Sequence, residues 1–136
     1  MDGTFVRTGL AIAAVLALAG SVPAAGQEAA AAKAAYLKYC GACHGPGGKG
    51  DGIAGTFMRP KPTDLTQIAK RNGGRFPVEP TLRAIDGRDT VRAHGDPDMP
   101  VWGEIFKREA VSPSAHAEVQ GKLLLITKHL ESIQEK

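Results

Sequence analysis

The feature that most restricts this chain is a five-residue run, Cys40-Gly41-Ala42-Cys43-His44, which holds both of its cysteines. It follows Glu28 to Tyr39, an Ala-rich stretch without Gly or Pro that places Ala32, Tyr36 and Cys40 at i, i+4 and i+8 on one face, so a helix is expected there. On helical geometry Cys40, Cys43 and His44 stand at i, i+3 and i+4, and two sulfurs and one imidazole leave the same side of one turn. A thioredoxin-like redox pair does not suit this setting. Such a pair follows a strand and opens a helix, whereas this one closes a helix in a chain without an alternating strand pattern of useful length. Zinc fits poorly as well, because adjacent Cys43 and His44 would both have to bind and no second Cys or His pair with ligand spacing exists.

C-x-x-C-H is the attachment pattern of c-type haem. Its spacing lets both sulfurs reach the two vinyl-derived carbons of one porphyrin while the imidazole faces iron. Both thiols are then used, leaving none for a disulfide. The amino terminus agrees with such chemistry in an exported compartment. Thr8 to Gln27 carries no charge, Leu10 to Ala19 is apolar, and Arg7 precedes it. Small residues offer cleavage after Ala24 or Gly26, so residues 1–26 are expected to be a signal peptide and 27–136 the domain. The competing reading, a retained membrane anchor, has to accommodate Gly20, Ser21, Pro23 and Gly26 within a span of about 20 residues that should be strongly apolar.

The domain is thinly supplied with core residues. From Gln27 onward, 21 of 110 residues are Leu, Ile, Val or Phe, and the chain has 17 Gly and 9 Pro. That supply approaches the disordered range, yet a formal charge of +3 lacks the self-repulsion usual there. A haem resolves the conflict by adding a large flat apolar body to pack around. The small charge also gives no support to nucleic acid binding.

Beyond the motif, Gly45 to Gly55 and Arg59-Pro60-Lys61-Pro62 predict irregular backbone, with the glycines allowing close approach to a haem edge. Neither phosphate-binding nor dinucleotide-binding Gly patterns occur, and no strand precedes the cluster. Thr63 or Asp64 is placed to cap a short helix over Leu65 to Arg71, which stops at Asn72-Gly73-Gly74. Pro80 to Asp86 predicts another, ended by Gly87. Turn residues return from Val91 to Gly103. A final amphipathic helix is expected from Ser112-Pro113 or Ser114, with Val119, Leu123, Ile126, Leu130 and Ile133 along one side. The class is all-α with long loops.

An iron held by His44 has a sixth position, open to Met58, Met99, His94, His116, His129 or nothing. Met99 suits it best: Pro97 stiffens its loop and Pro100 pushes it toward extended backbone. A soft thioether favours the ferrous state and raises the potential. Met58, beside Phe57, reads as packing against the ring. His94 would give a bis-His iron of lower potential.

On these residues the chain resembles a class I, mono-haem cytochrome c of the bacterial periplasmic kind. The likeness is carried by Ala32, Tyr36 and Cys40, by Cys40 to His44 with the following Gly45 to Gly52, by Pro60 to Thr66, and by Asp98-Met99-Pro100-Val101-Trp102-Gly103. It covers nearly all of residues 27–136. The resemblance implies an all-α cytochrome c fold, with several short helices and long loops wrapped around one covalent haem c and its iron. Cys40, Cys43, His44 and Met99 would bind the cofactor, with His44 and Met99 on the iron. It further implies a crossing of first and last helices, where Ala32 and Tyr36 meet Leu123 or Leu130. A backbone carbonyl from a Pro-containing loop, with Pro60 or Lys61 the candidate, would fix the His44 ring. Trp102 would either donate a hydrogen bond near the haem propionates or pack in the core.

The implied function is periplasmic electron transfer, outer-sphere and one electron at a time, with no catalytic residues and no small-molecule substrate. The partners would be redox proteins, a dehydrogenase as donor and an oxidase or reductase as acceptor, with the chain a monomer or a subunit of a redox complex. Lys38, Lys49, Arg59, Lys61, Lys70, Arg71 and Arg75 would either steer an acidic partner or form an ordinary solvated surface. Two other readings stand: the haem subunit of a dehydrogenase, and a haem enzyme or sensor with an open sixth position.

Overall fold

The computed structural model describes residues 24–88 and 99–135; the expected leader up to Pro23 and the ligand-loop residues His94, Pro97 and Asp98 lie outside them. Six helices, and no strand, occur among the described residues. Helix α1 covers Ala24–Tyr39 and contains the whole Ala-rich stretch expected to be helical from Glu28. The motif forms α2, Gly41–His44. A 3₁₀ turn at Ala54–Phe57 precedes a second at Leu65–Gln67, which runs directly into α3, Ile68–Arg71. Asp64 caps that unit by accepting from the Thr66 N–H at 2.8 Å, as one of the two expected caps.

Helix α4 spans Val78–Asp86 and ends on Gly87, whose φ of 80° lets its N–H return to Arg83 and Ala84. Helix α5, Trp102–Glu109, occupies ground expected to begin as turn. Helix α6, Ala115–Ser132, begins after Ser114, although no side-chain cap bond forms there. No helix of the described residues is long and apolar enough to cross a membrane.

The core sits where α1 and α6 cross. Tyr36 on α1 and Leu123 and Ile126 on α6 are wholly buried, with Val119 and Leu130 extending the same stripe. Burying each large apolar side chain contributes about 1.5–3 kcal/mol. Helix α5 joins through Phe106, also wholly buried, whose ring meets Tyr39 edge-on at 4.8 Å while Trp102 leans on both. That aromatic cluster explains why an eight-residue helix containing Gly103 persists: its apolar side is fixed by tertiary contact rather than by propensity.

Residues after α6 tie its end to the middle of the chain. The Gln134 side chain accepts from the Ala69 N–H at 2.8 Å and donates to the carbonyls of Leu65 at 2.9 Å and Leu130 at 2.6 Å. The Glu135 N–H donates to Thr66 O at 2.9 Å.

Candidate functional site

The motif turn is built almost entirely from backbone bonds. Cys40 N–H continues α1 by donating to Tyr36 O at 2.8 Å, and His44 N–H donates to Cys40 O at 2.9 Å, so Cys40, Cys43 and His44 share one turn as their spacing predicted. The loop beyond folds back on that turn. Gly50 N–H donates to His44 O at 2.9 Å and Gly52 N–H to Cys43 O at 3.2 Å. Tyr36 Oη donates to Gly45 O at 2.7 Å from within the core.

Glycine is required by this folding back. A Cβ on Gly52 or Gly55 would strike the carbonyls of Ala42 or Cys43, and one on Gly50, with φ of +73°, would strike that of Pro62. These glycines bring the loop against the backbone of the attachment turn and against the Pro62 carbonyl, and they line neither of the cavities described next.

Two adjoining cavities open beside the turn, and both are lined by Cys40, His44, Thr63 and Met99. The first adds Cys43, Met58, Tyr39 and Trp102. The second, of about 370 Å³, adds Leu65, Ile68, Ile85, Ile126 and Leu130 as an apolar wall, with Arg71 and Asn72 among its polar members. Cys40 and Cys43 form no disulfide. Burial first, and then the neighbouring Cys43, push the Cys40 thiol up to about 12, which keeps it protonated in the bare protein.

His44 is the most constrained member. Its Nδ1 lies 3.0 Å from Thr63 O; a carbonyl only accepts, so Nδ1 carries the proton and Nε2 keeps its lone pair. Burial holds the imidazole below its ordinary pKa, and so neutral, although the Thr63 bond pulls the other way. This is the state a metal requires. The carbonyl was expected from Pro60 or Lys61, and the structure corrects this to Thr63. The cause is the anchoring of this extended segment, since Leu65 N–H donates to Gly48 O at 2.7 Å, which sets Thr63 rather than the prolines opposite the ring.

The donor set fits a covalently held haem: two unbridged thiols, an imidazole in the metal-binding tautomer, and apolar walls reaching from α3 and α4 to α6. Of the proposed sixth ligands, Met58 and Met99 share the first cavity with His44, and Met99 lines the second as well. His116 is exposed on α6, His129 is buried against Tyr36 and lines neither cavity, and His94 is outside the described residues. Trp102 packs on Tyr39 and Phe106, one of its two expected roles, and stands in the wall of the first cavity.

The cations are dispersed rather than gathered. Lys61 and Arg71 line the two cavities, Lys49 pairs with Glu135 at 3.2 Å, and Lys38 sits over the Tyr39 ring. Tyr39 and the Thr63 carbonyl are site members that the residue pattern did not single out. Tyr39 has a signal in hindsight, since it immediately precedes Cys40; a backbone acceptor has none.

No curated protein and no solved structure matches the chain. A family model described as Cytochrome c matches residues 29–112.

Proposed function

The chain belongs to the cytochrome c family, and from that premise we propose that it is a periplasmic one-electron carrier of the class I, mono-haem kind, with His44 and Met99 as the two axial ligands. The family brings covalent haem c and its iron, which supplies reversible one-electron chemistry when bound. Cys40 and Cys43 would hold it through thioethers. The Thr63 carbonyl keeps the His44 proton on Nδ1 and fixes the ring plane, so the ligand does not have to reorient when the charge on its partner changes. Leu65, Ile68, Ile85, Ile126 and Leu130 exclude water from one wall, which limits reorganisation of the surroundings. Arg71 gives that wall a positive charge suited to an acidic edge of the group.

The observation that carries this reading is the placement of Met99 in both cavities shared by Cys40 and His44. Export is supported by the uncharged stretch from Thr8 and the small residues before Gln27, with residues 1–26 as the signal peptide and 27–136 as the cytochrome domain. N-terminal sequencing of protein recovered from the periplasm should begin at Ala25 or Gln27.

The ligand assignment is tested by the visible spectrum of the oxidised protein. Wild type and Met58→Ala should show the weak sulfur-to-iron charge-transfer band. Met99→Ala should lose it, fall in potential and become open to cyanide or carbon monoxide. An unchanged potential in Met99→Ala removes the assignment, and loss of the band in Met58→Ala alone transfers it to Met58.

A further inference from the structure

The 3₁₀ turn after the motif is built inside out. Its small residues Gly52 and Gly55 face inward onto Ala42 and Cys43, while Ile53 and Phe57 are 79% and 84% exposed. Single exposed apolar residues are ordinary. These two differ because the backbone that displays them is held: Thr56 N–H donates to Gly52 O at 3.2 Å, Thr56 Oγ1 to Ile53 O at 2.7 Å, and Met58 N–H to Gly55 O at 3.3 Å. A fixed aromatic loses little conformational freedom on being covered, which suits an interface anchor.

The turn is also continuous with the candidate site. Met58, next to Phe57, and Lys61 both line the first cavity, and Gly52 N–H is bonded to the carbonyl of Cys43. Its flank is cationic. Arg59 is pinned by donating to the carbonyls of Thr56 at 3.0 Å and Met58 at 2.7 Å, and among the described residues neither Arg59 nor Lys61 makes an ion pair. The neighbouring carboxylate of Asp51 packs back against the Gly45 backbone.

We propose that the Ile53 to Phe57 turn is the docking surface for a redox partner protein that presents an apolar recess edged with carboxylates; this rests on the carrier reading above. The Phe57 ring and the Ile53 side chain fill the recess, Arg59 and Lys61 meet its rim, and the partner is brought against the segment that carries Cys43. Complementary charge sets encounter rate and orientation, and the buried aromatic sets residence.

The test uses the haem-loaded full chain, reduced, with native membrane vesicles as oxidant and ferricyanide as a small-molecule control. Phe57→Ser and Ile53→Ser should raise KM for the membranes about tenfold or more, leaving kcat, midpoint potential and the ferricyanide rate unchanged. Arg59→Glu with Lys61→Glu should raise KM further and flatten its dependence on salt. Because these side chains are exposed, thermal melts should match wild type. A wild-type KM in Phe57→Ser overturns the proposal. So does a dimer in sedimentation, or flotation with anionic phospholipid vesicles, that Phe57→Ser abolishes, since the turn then serves a second copy or a lipid surface. Wild type that exchanges electrons with ferricyanide and never with membranes removes the carrier reading itself, and this one with it.

Discussion

Replacing Tyr36 by Phe isolates one atom that ties the first helix to the haem-attachment turn. The hydroxyl donates to Gly45 O at 2.7 Å from a fully buried position, and burial holds it well above the ordinary tyrosine pKa, so it is a neutral donor throughout the working range. A buried carbonyl left without a partner would cost about 1–3 kcal/mol. Here it is not left so, because Gly48 N–H also donates to Gly45 O at 3.2 Å. Phe keeps the volume and the ring contact with His129, 4.7 Å between centroids, so no cavity opens. The expected loss is therefore that of one net hydrogen bond, about 1 kcal/mol, or roughly 4 °C in Tm for a domain of this size. The assay is denaturant and thermal unfolding of the haem-loaded protein, with an unchanged m-value and an unchanged oxidised spectrum. A loss near 3 kcal/mol refutes the reasoning by showing that Gly48 does not hold the carbonyl. Unaltered stability refutes it from the other side.

Other perturbations follow from the same contacts. Phe106→Ala should destabilise by about 3–5 kcal/mol, since it empties a wholly buried site under Tyr39 and Trp102; a loss below 1 kcal/mol in chemical denaturation would show that the site collapses. His129 is buried, its Nε2 has no partner, and burial with the nearby Lys33 lowers its pKa. The unfolded chain then takes up the proton first, so stability should be fully present above the usual histidine range and fall as pH drops below about 6.5. His129→Phe should flatten that slope in pH-dependent melts of the haem-loaded protein, and an identical slope would contradict the assignment. Cys40→Ala with Cys43→Ala should leave the chain mostly unfolded by circular dichroism, and a compact product with a cooperative melt would contradict the view that a prosthetic group completes the core.

The parts legible in the sequence were those written in side-chain period and type. The α1 face of Ala32, Tyr36 and Cys40, the α6 stripe from Val119 to Leu130, and the caps at Asp64 and Gly87 each declare themselves by spacing or by conformational preference. Helix α5 did not, because Trp102, Ile105 and Phe106 are too few to establish a period and follow a run of Gly and Pro; tertiary contact with Tyr39 decides it. The thiols and His44 were legible because chemistry fixes their identity. The carbonyl on His44 was not, since every residue in the loop offers the same acceptor and only the Leu65 to Gly48 bond selects Thr63. The glycines marked close approach, and the backbone that Gly50, Gly52 and Gly55 approach is set by how the loop returns.

The Gln134 bonds bear on folding kinetics. The attachment turn is closed by contacts within ten residues, such as Tyr36 to Gly45 and Gly50 to His44, and local contacts form early. The opposite wall depends on α6 and on bonds that skip 65 and 69 residues, from Gln134 to Ala69 and Leu65, whose closure entropy must be met before they stabilise anything. Contact order alone then orders the two events, with the thiols displayed on a formed turn before the far wall closes. A rigid group too broad for a closed cavity has access to both sulfurs during that interval, and the slow long-range contacts then shut behind it.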